Sequence, residues 1–375
     1  MKIAIDLRSL QSGTVSGVEN YTLNLLKKLL TMDKRNTYLL FHSSFKKMNL
    51  PEFNFINAKV IKSRWPNKLL NLLFKLKLKS LESIIGNFDI LFMPNLNVVN
   101  IRNQTKLAIT VHDASFAVLP EYYDVKRKLW HKFLNVKRLL KRANMIFAVS
   151  NYTKNDLIKI YNLPEEKIKV VYPGVDTRIF NPNIPALNMR KLRNTYALPG
   201  KFFLFLNTLE PRKNLIGAIK AFEQIRTNTH LVIAGRKGWK TAPILRRIKN
   251  SKKKHRIHYM GYINEAEKPA LLKMSTALIY PSFYEGFGFQ PLEAMAVGTP
   301  VIASQITALP EVVGDAGILI NPYNTRDIVQ AMAVIDCNEE LRNLLIKKGQ
   351  ERVGIFNWHI TAQQTLAYLE AINIS

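Results

Sequence analysis

The sequence predicts an α/β protein with two doubly wound parallel-sheet domains that face each other across a cleft. Short β-rich runs alternate with helix-length segments from end to end. The runs are continuously apolar rather than alternating, the pattern of strands covered on both faces. At 375 residues the chain is long enough for two domains. In the first half the predicted strands are Lys2–Asp6, Tyr38–His42, Lys59–Lys62, Ile90–Met93, Leu107–His112 and Met145–Ser150, with helical patterns at Gly17–Leu30, Asn67–Ile85 and Val125–Lys141. The second half repeats the scheme with strands Phe202–Leu206, Leu231–Ala234, Ile257–Tyr259, Ala277–Tyr280, Val301–Ala303 and Ile318–Asn321. Asn181-Pro182-Asn183-Ile184-Pro185 is turn-rich, and Leu198-Pro199-Gly200 resets the chain before a strand. The boundaries read from this are 1–185 and 186–356. Residues 357–375 hold a last helix pattern, Trp358–Ile372, expected to pack back on the first domain. Ligands of open α/β sheets sit outside the carboxyl ends of the strands, which points to the cleft between the two sheets.

Hydrophobic residues make up 47% of the chain and charged residues 22%, a globular composition. Lys plus Arg is 55 against 27 for Asp plus Glu, a net charge of +28. Such an excess favours anionic substrates, nucleic acid or an anionic membrane surface. Residues 59–79, 126–142 and 236–256 hold basic residues and no acid. They lack aromatics interleaved for base stacking, and no helix-turn-helix, zinc-finger or RRM pattern occurs, so nucleic acid is not the expected partner. The single Cys337 favours a reducing compartment. The opening Met1-Lys2-Ile3-Ala4-Ile5-Asp6 enters a strand without a signal-peptide pattern, and no apolar run reaches 18 residues. The expected location is the cytoplasm. Read as a helix, Lys68–Lys79 carries more apolar surface than one core face requires, beside several lysines. This suggests docking on lipid headgroups, with Leu70, Phe74 and Leu78 as anchors, at the inner face of the cell membrane.

The strongest local signal is Ser282-Phe283-Tyr284-Glu285-Gly286-Phe287-Gly288-Phe289-Gln290-Pro291-Leu292-Glu293. A strand ends, a glycine-bearing turn follows and a helix opens, where main-chain N–H groups attract anions and hydroxyls. Glu285 and Glu293 can accept hydrogen bonds from polyol hydroxyls without changing protonation. As capping and surface acids they would have no such role. The second signal is Asn207-Thr208-Leu209-Glu210-Pro211-Arg212-Lys213-Asn214, after another buried strand. Two cations at a helix start oppose the macrodipole, which makes sense if an anionic ligand shares the spot. The alternative is two snorkelling surface cations. Gly13, Ser16 and Gly17 form a third strand-to-helix turn, and His112-Asp113 ends a strand at the same carboxyl edge. The chain contains no D-x-D pair, no zinc-type Cys/His cluster and no G-x-S-x-G elbow, so no metal is expected.

Taken together, Glu285 and Glu293 in E-x7-E spacing with Gly286-Phe287-Gly288, the Pro211-Arg212-Lys213-Asn214 turn and Tyr172-Pro173-Gly174-Val175-Asp176 resemble a retaining glycosyltransferase of family 4 with the GT-B fold. Ala234-Gly235-Arg236-Lys237-Gly238-Trp239 and Val111-His112-Asp113 are similar to its bacterial mannosyltransferase branch, which builds O-antigen and related polysaccharides. The resemblance implies that residues 1–185 bind the acceptor and 186–356 the nucleotide sugar. Glu285 would hold hydroxyls of the donor hexose, helped by main-chain N–H groups at Phe287 and Gly288. Glu293 would bind the ribose, Arg212 and Lys213 would neutralise the diphosphate with Gly17 approaching it, and His112 would contact the donor sugar. No cofactor is expected beyond the nucleotide-sugar co-substrate. GDP-mannose is the implied donor and a glycan or lipid-linked saccharide the implied acceptor, with a UDP-hexose donor or a nucleic-acid-binding role as alternatives.

Overall fold

The computed structural model describes residues 1–12, 17–44 and 53–374. The chain divides into two compact units, one of residues 1–114, 126–174 and 358–375, the other of residues 115–125 and 175–357.

The first unit holds a parallel sheet. Its strands are β1 (Lys2–Asp6), β2 (Thr37–Ser43), β3 (Ala58–Ser63), β4 (Ile90–Met93), β5 (Lys106–Val111), β6 (Met145–Ala148) and β7 (Ile168–Val170), in spatial order β3-β2-β1-β4-β5-β6-β7. Ile3, Ala4 and Ile5 of β1 are fully buried, as central strands covered on both sides require. β7 was not among the sequence-predicted strands, because three residues alternating with lysines carry no strand signature. The helix Gly17–Met32 buries Tyr21, Leu25, Leu26, Leu29 and Leu30 along one stripe. The helix Trp358–Ile374 lies against it, with Trp358 edge-on to Tyr21 and the Thr361 hydroxyl donating to Tyr172 O at 2.7 Å.

Two helices expected to be continuous are broken. The pattern over 67–85 forms the helix Asn67–Lys75, and Lys77 then takes φ = +58°, turning the chain away before a short helix at Glu82–Ile85. The pattern over 125–141 splits into Val125–Leu134 and Val136–Arg142. Asn135 is left-handed there (φ = +54°), and its Oδ1 caps the second helix by accepting from Arg138 N. Asn tolerates this conformation better than most residues.

The second unit holds β8 (Phe202–Leu206), β9 (His230–Ala234), β10 (Ile257–Gly261), β11 (Ala277–Tyr280), β12 (Val301–Ser304) and β13 (Ile318–Ile320), all parallel, in order β10-β9-β8-β11-β12-β13. Phe203, Phe205, Ile233, Ile279 and Ile302 interlock with the helices Leu215–Gln224 and Thr325–Cys337 in one core. Residues 175–185, assigned from sequence to the first domain, sit in this unit. Val175 N donates to Phe356 O, and Phe180 is buried beneath the Lys268 ammonium. Residues 115–125 also belong here: Trp239 Nε1 donates to Tyr122 O at 2.6 Å and the Trp239 ring stacks on Tyr123.

Gly235, just after β9, has φ = +147°, and a Cβ there would stand 1.7 Å from Asn207 O. Only glycine lets the β8 and β9 loops approach so closely at the carboxyl edge of the sheet.

Candidate active site

In the second unit the loops after β8 and β11 meet. After β8, Pro211–Lys213 forms a single 3-10 turn rather than the start of a longer helix. Asn214 follows in the left-handed region (φ = +55°) and starts the helix Leu215–Gln224 by accepting from Gly217 N at 3.1 Å. Its Nδ2 donates to Pro322 O, which fixes the turn from the other side. After β11, Phe283 N donates to Arg212 O, Glu285 N donates to the Thr307 hydroxyl, and Gly288 at φ = +123° opens the helix Phe289–Ala296. A Cβ on Gly288 would meet Leu309 Cδ2 at 2.8 Å.

These turns bring Lys213 and Glu285 together. Lys213 Nζ is 2.7 Å from Glu285 Oε1 and 2.8 Å from Oε2. Arg212 Nη1 donates to Tyr284 O at 2.8 Å and reaches Glu285 Oε2 at 3.4 Å, while its Nη2 lies 2.9 Å from Glu210 Oε1. All four charged side chains are buried. The alternative of two snorkelling surface cations does not hold: the 3-10 turn points Lys213 inward, where the acid at 285 makes its burial tolerable. Burial pushes the Glu285 carboxyl up, but the Lys213 and Arg212 charges more than offset this and hold it below the ordinary glutamate range.

Glu293, one turn into its helix, is buried with a different cation. Lys268 Nζ sits 3.2 Å from Glu293 Oε2 and 2.9 Å from Glu265 Oε2. Burial raises Glu293 to about 7, with Lys268 opposing that shift. Burial pushes Lys268 down, but Glu293 and Glu265 leave it raised overall. The two acids of the E-x7-E spacing are thus held by separate basic partners. Phe287, between them, is buried against Phe289 and Phe356, and Gly286 and Gly288 are buried as well.

A family profile described as "Glycosyl transferases group 1" matches residues 190–352, and one described as "Glycosyltransferase Family 4" matches residues 15–179. The chain is 30% identical over 262 residues to O-antigen chain mannosyltransferase B of Escherichia coli, covering 68% of each protein. The chain belongs to the group 1 glycosyltransferases. It is also 28% identical over 240 residues to the serotype-specific mannosyltransferase WbdA of Escherichia coli, spanning 61% of this chain and 29% of that longer protein. Its fold is GT-B, and it is similar to that of a sucrose-phosphate synthase from Thermosynechococcus elongatus (TM-score 0.79, 19% identity, 100% of both chains).

The other two predicted site residues of this glycosyltransferase lie in the first unit. Gly17 opens the helix Gly17–Met32; Gly13 and Ser16 lie outside the described residues. His112 follows β5, packs edge-on against Tyr21 at 4.7 Å and donates Nε2–H to Pro94 O at 2.8 Å. This leaves Nδ1 as the acceptor nitrogen of the neutral ring, and burial keeps that ring neutral by lowering its pKa. Lys268 and Glu265 carry no signal in the sequence, and Glu210 lies in the second signal without a role of its own. Each is an unremarkable charge in a charged stretch until the fold places it against the site. Among the described residues no group of three or more His, Cys, Asp or Glu could hold a metal, and no helix is long and apolar enough to cross a membrane.

Proposed function

We propose that this glycosyltransferase moves mannose from GDP-mannose to a glycan or lipid-linked acceptor in cell-surface polysaccharide synthesis, with retention and without a metal. The relatives named as O-antigen and serotype-specific mannosyltransferases support the sugar. The observation that carries the chemistry is the buried Arg212–Lys213–Glu285 cluster at the carboxyl edge of the second sheet. With Glu210 it has two positive and two negative charges, so the cations are already balanced before any ligand arrives. A sugar diphosphate resolves this by exchange: its hexose hydroxyls donate to Glu285, and its phosphate oxygens accept from Lys213 and Arg212. Glu293 accepts from the ribose hydroxyls, with the Lys268 ammonium beside it opposing the rise that burial imposes on its pKa. On the same reading Gly17 contacts the diphosphate and His112 the donor sugar.

In the transfer, the acceptor hydroxyl oxygen bonds to C1 of mannose and the bond from C1 to the phosphate oxygen breaks. Its electron pair leaves with GDP, and a phosphate oxygen takes the acceptor proton. Arg212 and Lys213 stabilise the charge that grows on the leaving diphosphate. NMR of the product anomer, after incubation with GDP-mannose and an oligomannoside, tests this reading. An α-linked product formed in the presence of a chelator supports it, whereas transfer only from a UDP-sugar, or a β-linked product, overturns it.

A peripheral site on an anionic membrane belongs to the same reading, with a corrected anchor. Leu70 and Phe74 are fully buried because they lie on the inner stripe of the helix Asn67–Lys75. The apolar residues facing out are Trp65, Leu69, Leu72, Leu76 and Leu78, beside Lys68, Lys75, Lys77 and Lys79.

A further inference from the structure

A cavity lies in the first unit, at the carboxyl ends of β1 and β4, and none of the described residues that line it has a part in the site above. Its volume is about 290 Å³. Its floor is the buried pair Asp6–Arg8, in which Arg8 donates Nε–H and Nη2–H to the Asp6 carboxylate and Nη1–H to Asn71 Oδ1 at 2.9 Å. Arg8 is further pinned by Val98 O and by the rings of Phe41 and Phe74. The floor is therefore rigid and carries no net charge.

The walls are Ser9, Asn67, Asn71, Asn95, Asn97 and Trp130. Asn95 Oδ1 accepts from Leu96 N at 2.8 Å and Asn97 Oδ1 from Val98 N at 2.9 Å. Those bonds hold the carboxamides by their oxygens, and their NH2 groups have no partner among the described residues. The buried hydroxyl of Ser9 has none either. The Trp130 ring is 38% exposed. In a chain of net charge +28, the described residues that line this cavity include no lysine, no unpaired arginine and no unpaired acid. An anion gains nothing there. A neutral polyol does, because its hydroxyls can accept from amide N–H groups while one face of its ring lies on the indole. The volume is at the small end of the ~300–1,000 Å³ of ligand sites, room for one sugar ring.

We propose that this cavity binds one hexose residue of the glycan acceptor, with Trp130 as platform and Asn71, Asn95 and Asn97 as hydrogen-bond donors. The inference rests on the glycosyltransferase reading for the word acceptor, but not for the binding itself. Saturation-transfer NMR with methyl α-mannoside and an α-mannobioside, on the full chain, tests it directly. Ring-proton signals are expected for wild type, absent in Trp130→Ala and weakened in Asn97→Ala. GDP should raise the melting temperature of all three proteins equally, which shows that the variants are folded. In transfer assays the KM for acceptor should rise roughly tenfold in Asn97→Ala, the scale of one lost hydrogen bond in a desolvated site, with the KM for GDP-mannose unchanged. Saccharide signals that persist unchanged in both variants overturn the proposal. Wild-type saccharide binding without any transfer from a sugar nucleotide would overturn the functional reading and leave this site standing.

Discussion

Lys213 Nζ and Glu285 Oε1 lie 2.7 Å apart although 72 residues separate them in the chain, and both side chains are 8% exposed. The contact fastens the loop after β8 to the loop after β11. It also holds inside the protein the two charges to which the proposed function assigns the sugar-diphosphate donor.

Lys213→Ala should therefore have two consequences. Turnover should fall by roughly 10²–10³, the scale for one lost electrostatic stabiliser. Stability should fall too, by about 3–5 kcal/mol, because Glu285 is left buried without its cation. In the double variant Lys213→Ala/Glu285→Gln much of the stability should return and none of the activity. Urea denaturation beside turnover measurements checks both. Additive stability losses in the double variant would show that the pair is not coupled.

Glu285→Gln and Glu293→Gln should separate into different defects. On the proposed reading the first would remove contacts to the reacting sugar and should mainly lower kcat. The second should mainly weaken binding of free GDP, read by calorimetry. If both variants bind GDP as wild type does, the ribose role of Glu293 is wrong.

The Glu293 carboxyl should also shape stability against pH. Its pKa is raised in the fold from 4.5 to about 7. The folded state therefore binds a proton that the unfolded state has already released. The stability this brings is fully present below pH 4.5 and is lost as pH rises through about 7, a change of about 3 kcal/mol. Glu293→Gln should flatten that slope, so melting curves of the two proteins at pH 5 and pH 8 decide the matter. Parallel curves would place the titration elsewhere.

Gly235→Ala should be among the most damaging small substitutions outside the charged site. The new methyl would stand 1.7 Å from Asn207 O in a backbone conformation that L-residues rarely adopt. A loss of several kcal/mol is expected, of the size of combined strain and overpacking. Chemical denaturation measures it, and a loss under about 1 kcal/mol would mean that the loop relaxes freely.

Membrane association should follow the outward residues of the helix Asn67–Lys75 and of the turn after it, which carries Leu78. Replacing Leu69, Leu72 and Leu78 by glutamine should abolish low-salt sedimentation with anionic liposomes and leave the melting temperature near that of wild type. Leu70→Gln or Phe74→Gln should instead unfold the first unit, since these side chains are fully buried. Unchanged sedimentation of the triple variant would remove this surface from consideration.

By itself the sequence determined the two parallel sheets, their strand-to-helix turns, and the Arg212-Lys213 and Glu285 segments as candidate ligand contacts. Continuous apolar strands, turn residues and short-range spacing are local signals, and each of these features is local. Three further features needed the tertiary structure. The helix over 67–85 stops at Lys75 because Lys77 turns left-handed, and only packing shows that Leu70 and Phe74 face inward while Leu69 and Leu72 face out. Lys213 points inward because a glutamate 72 residues away waits for it. Glu293 lies beside Lys268 rather than sharing a partner with Glu285. A charge's environment is set by what the fold packs against it, and burial and pairing depend on contacts between distant segments, on which the local pattern is silent.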